Sequence, residues 1–457
     1  MSRAPRGPRG VGAVGNDVRV MTRSTRWTAA QVAGLAPDTS SLAAARRLAR
    51  PGPWSDTGST DTLLWGKCQG SGTTPYQVSI DLVGPAFRCT CPSRKLPCKH
   101  GLALLLLWVD GSGSVADAEE AAGFAQEWAV ERSARAEARA AGESARQTRT
   151  ADPAAAARRL EERLALMDGG MDDFARWLTD LARSGTAAAR HQSYAWWDAT
   201  AARLVDAQLP GLADDVRSVG GVVSGRPDWA ERLLLALGRW WTATRAWAAR
   251  ESLDAAQLGD LRAYLGWSTS TDSVRRGDAV TDHWLVLGAH RSDDGRLQQQ
   301  RTWLLGRDTD ETVQVLDFAA GGQVLPVARA VGSTLVATLA RYPGAAMRRA
   351  LFVDEPAPAE AVRMPSGSTL EHAQLAAARV WGENPWARRV PVVLADVRVG
   401  TDRVVDAEGA RVSLTEDAPV WPLLALTGGR PSQLFGELEE SRLRPLTVVV
   451  DGEAVGL

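Results

Sequence analysis

Cys89, Cys91, Cys98 and His100 fall within twelve residues of a 457-residue chain that has only four cysteines and five histidines. The stretch from Phe87 reads FRCTCPSRKLPCKHGLALLL. Three thiolates and one imidazole make a closed tetrahedral zinc donor set, with bonds of about 2.3 Å to sulfur and about 2.0 Å to nitrogen. Soft thiolates favour zinc over magnesium or calcium. Four protein ligands leave no position for a catalytic water, so the expected single zinc is structural. Cys89 and Cys91 are i and i+2 at the end of an expected strand, so both can point to one side. Pro92 and Pro97 stiffen the connection, and Cys98 and His100 sit in the turn that opens a helix. Zinc would tie strand end to helix start. A patch this small is expected to draw much of its folding energy from the metal. Buried free thiols or a disulfide fit the paired i, i+2 spacing less well. Cys68 is left over, either a small buried hydrophobe or a redox-sensitive substitute ligand.

Arg88, Arg94, Lys95 and Lys99 surround this set, and no acid lies between Asp81 and Asp110. The chain has 50 arginines and only three lysines, Lys67, Lys95 and Lys99, all in or beside the cluster. The arginine excess reads as the bias of a GC-rich genome; the lysine placement does not. Residues 1–109 carry fourteen Lys/Arg against five Asp/Glu, although the whole chain is at −1. Such a set can grip phosphates or an acidic protein. A sequence pI near 6.6 is far below that of a dedicated DNA binder, which favours the protein partner.

Little else carries chemistry. Gly-Lys-Ser/Thr, Gly-x-Ser-x-Gly and His-Glu-x-x-His are absent, and the lysine placement leaves no Asp/Glu-x-Lys nuclease motif. His191, His283, His290 and His372 are scattered, and the seven-residue spacing of His283 and His290 puts them on opposite faces of one strand. The acidic pairs Asp172-Asp173, Asp214-Asp215 and Asp293-Asp294 read as caps and turns. No catalytic residues are assigned, and the chain is expected not to be an enzyme. Eighteen tryptophans are unusual. In Trp196-Trp197 and Trp240-Trp241 one indole is expected in the core and the other is available to a partner.

The elements that must position these residues read as α+β and multidomain. Residues 1–20 are an expected disordered extension, with Met21 as the true start. Residues 21–112 form the finger domain: helices over Thr28–Leu35 and Ser40–Ala49, strands over Leu63–Lys67, Tyr76–Val83 and Ala86–Cys91, then an apolar helix from Cys98 to near Asp110. Residues 113–150 are a solvated helix or linker. Residues 151–275 form a bundle of four to six helices, with stripes such as Phe174, Trp177, Leu178, Leu181 and Trp229, Leu233, Leu237, Trp240. Leu160, Leu164 and Met167 form a further stripe. Residues 276–457 are a mixed α/β region. There the period switches to two in HWLVLGAH, RTWLLGRD and TVQVLDFA, followed by strands within Val324–Leu339, a helix over Thr369–Trp381 and strands over Val390–Val399, Arg403–Leu414 and Leu446–Val450. No internal repeat is visible. The longest apolar run, Leu102–Val109, is too short to span a membrane. Without a secretory h-region, the cytoplasm is expected.

The Cys-x-Cys, short loop, Cys-x-His pattern resembles the SWIM zinc finger. WGKCQGSGTTPYQVSIDL and CPSRKLPCKHGLALLL look like bacterial SWIM-containing proteins of about this length. Cys89, Cys91, Cys98 and His100 fall on the four ligand positions. The resemblance covers about residues 54–112. It implies a zinc-bound ββα fold with a binding role, to DNA or protein. It also implies an accessory part beside MoxR-type AAA ATPases and von Willebrand A-domain proteins. The expected function is a protein-interaction adaptor, with nucleic-acid binding through the finger as the alternative.

Overall fold

The computed structural model describes residues 27–37, 39–70, 72–82, 86–93, 95, 97–134, 153–293, 297–320 and 325–457. The expected 1–20 extension, Met21, Arg94, Asp294 and residues 135–152 lie outside the described residues.

Thr28 opens helix α1 (Ala29–Gly34) with a capping box: its hydroxyl accepts from the Gln31 amide, and the Gln31 side chain accepts from the Thr28 amide. Helix α2 (Thr39–Leu48) follows. Strands β1 (Trp54–Ser59), β2 (Leu63–Cys68), β3 (Tyr76–Asp81) and β4 (Ala86–Cys89) form an antiparallel meander. After helix α3 (Lys99–Val109), strand β5 (Ala116–Asp117) returns parallel to β1. The polar run WSDTGS gave no alternation to mark β1. Helix α3 is apolar on nearly every side, and eight of its residues are buried. A helix of that kind must be covered all round. The sheet covers one side, and α1 and α2 cover the other, with Val32, Leu64, Val78, Ile80, Leu102 and Leu105 in one core. The expectation of a finger with little core of its own is therefore corrected: the four candidate ligands sit at one corner of a packed unit. Helix α4 (123–134) then lays Phe124, Ala125 and Trp128 against Leu63 and Trp65.

The bundle comprises α5 (Pro153–Ser184), α6 (Thr186–Arg190), α7 (Tyr194–Asp206), α8 (Pro210–Gly225), α9 (Trp229–Ala248), α10 (Ala255–Leu265) and α11 (Thr271–Arg275). Two of these are single turns, leaving five substantial helices. Met167, Phe174, Leu178, Trp197, Leu233 and Trp240 share the core, whereas Leu160 is exposed. Trp240 is fully buried and its neighbour Trp241 is 47 % exposed, as expected for a split pair. Trp196 departs from that pattern. It is half-buried, with its ring 5.1 Å from Trp177 and 5.0 Å from Trp197. Buried Asp215 accepts from Trp240 Nε1 and the Tyr264 hydroxyl and pairs with Arg388, tying the bundle to the C-terminal region.

The C-terminal region is two closed five-stranded barrels. The first joins β6 (Ala279–Asp293), β7 (Leu297–Gly306), β8 (Thr312–Ala320), β10 (Arg349–Phe352) and β9 (Thr334–Arg341) back to β6, with β11 (Ala357–Pro358) added beside β9. Helix α12 (Leu370–Glu383), N-capped by Thr369, leads to the second. That barrel joins β12 (Val390–Val399), β13 (Arg403–Val405), β14 (Arg411–Leu414), β16 (Arg442–Val450) and β15 (Ser432–Glu439) back to β12, with β17 (Glu453–Gly456) beside β16 and helix α13 (Val420–Thr427) between β14 and β15. Phe435 and Leu446 of the second barrel pack on Leu285, Leu287 and Trp303 of the first. At the centre of that contact Glu437, fully buried, pairs with Arg301 and accepts from Trp303 Nε1. No helix among the described residues is long and apolar enough to cross a membrane.

Candidate metal centre

The β3–β4 pairing sets one half of the cluster. Val78 faces Cys89 in register, so the edge strand ends with its first cysteine held against the sheet. Cys91 follows two residues on. The other half is set by α3, whose N-cap is Cys98 and whose first turn carries His100. Gly101 makes the approach possible: a Cβ there would lie 2.9 Å from the Phe87 ring of β4. The donor atoms of Cys89, Cys91, Cys98 and His100 all lie within 4.8 Å of one another. Cys89 Sγ is 3.7 Å from His100 Nδ1. Tetrahedral zinc bonds give donor–donor edges of about 3.5–3.8 Å, so the set fits one zinc ion. The Tyr76 ring lies 5.1 Å from the imidazole and covers its side.

The thiols are electrostatically interdependent. A hydrogen bond from Cys89, with help from His100 and the first amides of α3, pulls Cys98 down to about 4, against burial. Cys89 is pushed far up, first by donating to Cys98 and then by burial, and burial pushes Cys91 up as well. Three thiolates side by side require a cation. Cys68, on β2, is fully buried and its thiol is raised by burial. It feels the charges of Lys99, Cys98 and Cys91 but stands outside the four-donor group.

The basic residues around the cluster are less uniform than their sequence suggests. Lys95 and Lys99 are exposed. Arg88 pairs with Glu131 of α4 at 3.5 Å, and Lys67 pairs with Asp56 at 3.0 Å. The idea of a basic set with no acid nearby is corrected: α4 brings its acid from 43 residues along the chain. Arg94 lies outside the described residues. The amphipathic run Phe124, Ala125, Trp128 was the signal that α4 would pack here.

A second group, Asp282, His283 and Asp308, also brings its donor atoms within 4.8 Å. Its Asp282 carboxylate already accepts from the amides of His283, Asp308 and Thr309 and from the Thr309 hydroxyl. An Arg307 guanidinium nitrogen stands 2.9 Å from His283 Nδ1. This is a turn scaffold with its own cation. A bulge between Val286 and Gly288 corrects the expected placing of His283 and His290 on opposite faces: both lie on the outer side of β6.

The SWIM zinc finger family matches residues 76–108. The chain carries a SWIM zinc finger. The SWIM-associated four-helix bundle domain matches residues 162–265, within α5–α10. Comparison with curated proteins and with solved structures finds no match. A SWIM finger binds zinc, and here β3, β4 and α3 are the ββα unit that positions the four donors. The two matches leave both barrels unassigned.

Proposed function

We propose that Cys89, Cys91, Cys98 and His100 ligate one structural zinc, and that the SWIM finger uses the surface this zinc fixes to dock a protein partner. The chain is an adaptor in this reading, has no catalytic residues and works in the cytoplasm. The observation that carries it is the exposed, positively charged surface of Lys95 and Lys99, which the four-donor cluster holds at the mouth of α3. A partner surface with a few acidic groups fits such a patch better than a polyanion does. The resemblance to bacterial SWIM proteins makes an AAA ATPase with a von Willebrand A-domain protein the first system to examine.

The lysine distribution supplies the test. Because all three lysines lie in the finger, an amine-reactive cross-linker applied in the native host reports on that region through Lys95 and Lys99. A reproducible protein partner that also co-purifies without the cross-linker, and whose co-purification is lost when zinc is removed or when Lys95→Glu/Lys99→Glu is introduced, supports the reading. Partners that persist in both cases refute docking by the finger. Salt-sensitive DNA binding lost in the same double variant would favour the nucleic-acid alternative, in which Lys95 and Lys99 grip phosphates.

A further inference from the structure

The two barrels are the same fold twice. Numbering the strands of each from one to five, both rings run one-two-three-five-four. In both, strands three and five pair in parallel, β8 with β10 and β14 with β16, and the other ring pairings are antiparallel. This is the strand order of the oligonucleotide/oligosaccharide-binding barrel, which binds ligands over strands two and three. In the first barrel the outer face of strands one and two is spent: Leu285, Trp303 and Arg301 lie under Phe435, Leu446 and Glu437 of the second. On the second barrel Val393 of β12 packs into the same contact, but the part of the face formed by the end of β12, β13 and β14 is exposed. Val397, Val399, Val404 and Val412 point inward to its core, so the alternate residues Arg398, Arg403 and Arg411 point out, and all three are exposed. Register places Arg398 opposite Val405, and Val405 opposite Arg411, one row across three strands. Arg398 reaches the Gly429 carbonyl, which brings exposed Arg430 alongside. Asp402 neutralises Arg403. Arg398, Arg411 and Arg430 make no ion pair among the described residues.

We propose that this face of the second barrel binds single-stranded nucleic acid through its phosphates. The described residues of the face include no aromatic to stack on bases, so binding is electrostatic and tolerant of sequence. Three phosphate contacts on a single strand predict affinity falling about twentyfold between 50 and 200 mM salt.

The test titrates the full zinc-loaded chain into fluorescent thymidine 20-mer and into a duplex of equal length, followed by anisotropy. Expected are preference for the single strand, the stated salt dependence, a loss of at least about tenfold in Arg398→Glu/Arg411→Glu/Arg430→Glu, and no loss in Lys95→Ala/Lys99→Ala. Ser413→Lys, which adds a charge opposite Arg403, tightens binding severalfold. This variant keeps the proposal testable if the triple variant fails to fold. Absence of binding at 50 mM salt, equal affinity for duplex, or binding lost with the finger lysines and not with the barrel arginines overturns the proposal. Only the last of these bears on the finger.

Discussion

The Glu437–Arg301 pair makes a quantitative test of how the two barrels hold together. Glu437 is fully buried and Arg301 is 3 % exposed. A guanidinium nitrogen of Arg301 donates to Glu437 at 2.7 Å, and Trp303 Nε1 donates to the same carboxylate. Arg389 and Arg444 stand 3.9 Å away but have closer partners in Glu439, at 3.0 and 2.8 Å. Glu437→Leu therefore strands one charge, Arg301, together with one indole N–H. Breaking a buried pair from one side costs about 3–5 kcal/mol, chiefly for the uncompensated charge. Replacing both partners by apolar residues removes that charge. The double variant Arg301→Met/Glu437→Leu should return to within about 1–2 kcal/mol of the parent, a recovery of about 2–3 kcal/mol over Glu437→Leu alone, so that the loss is far smaller than the two single losses added. Urea unfolding of the four proteins, followed by tryptophan fluorescence, measures the cycle. A loss below about 1 kcal/mol in Glu437→Leu, or a double variant as unstable as the two single losses added, would refute the reasoning.

Burial pushes Asp260, on α10, up to about 6, partly offset by the Ala345 amide that donates to it. Its folded pKa lies above the unfolded value, so the stability this group contributes is fully present at low pH and is lost as pH rises from about 4 through about 6; Asp260→Asn should add about 1–3 kcal/mol at pH 7.5 and remove that part of the pH dependence. An unchanged curve contradicts this. Because the finger has its own core, chelation should raise hydrogen exchange at 86–101 while Leu102–Val109 and the bundle stay protected; global unfolding on chelation would show that the metal carries more than a corner. Gly101→Val should weaken zinc retention, because its Cβ meets Phe87 at 2.9 Å and pushes β4 off α3; unchanged zinc affinity counts against that role.

The metal cluster was legible because its four donors are local in sequence and few other patterns use them. The helix starts at Thr28 and Thr369 were readable for the same reason, and both threonines turn out to be caps. What stayed hidden depends on distant partners. SQLFGELE did not read as a strand because its buried Glu437 looks like a surface residue until Arg301, 136 positions away, is beside it. Arg88 looked free until α4 brought Glu131 to it. One bulge inverted the expected faces of His283 and His290, since a period-two reading has no means of counting an extra residue. The barrel duplication is written in pairings of third with fifth strands, not in recurring residues, so no repeat showed.

Zinc content, measured by mass spectrometry of protein purified without added metal, tests the central claim most directly. The account predicts one zinc per chain. It also predicts loss of tightly held metal in Cys89→Ser, Cys91→Ser, Cys98→Ser and His100→Ala, with full retention in Cys68→Ser. Parent protein without stoichiometric zinc, or Cys68→Ser losing metal while a ligand variant keeps it, would contradict it.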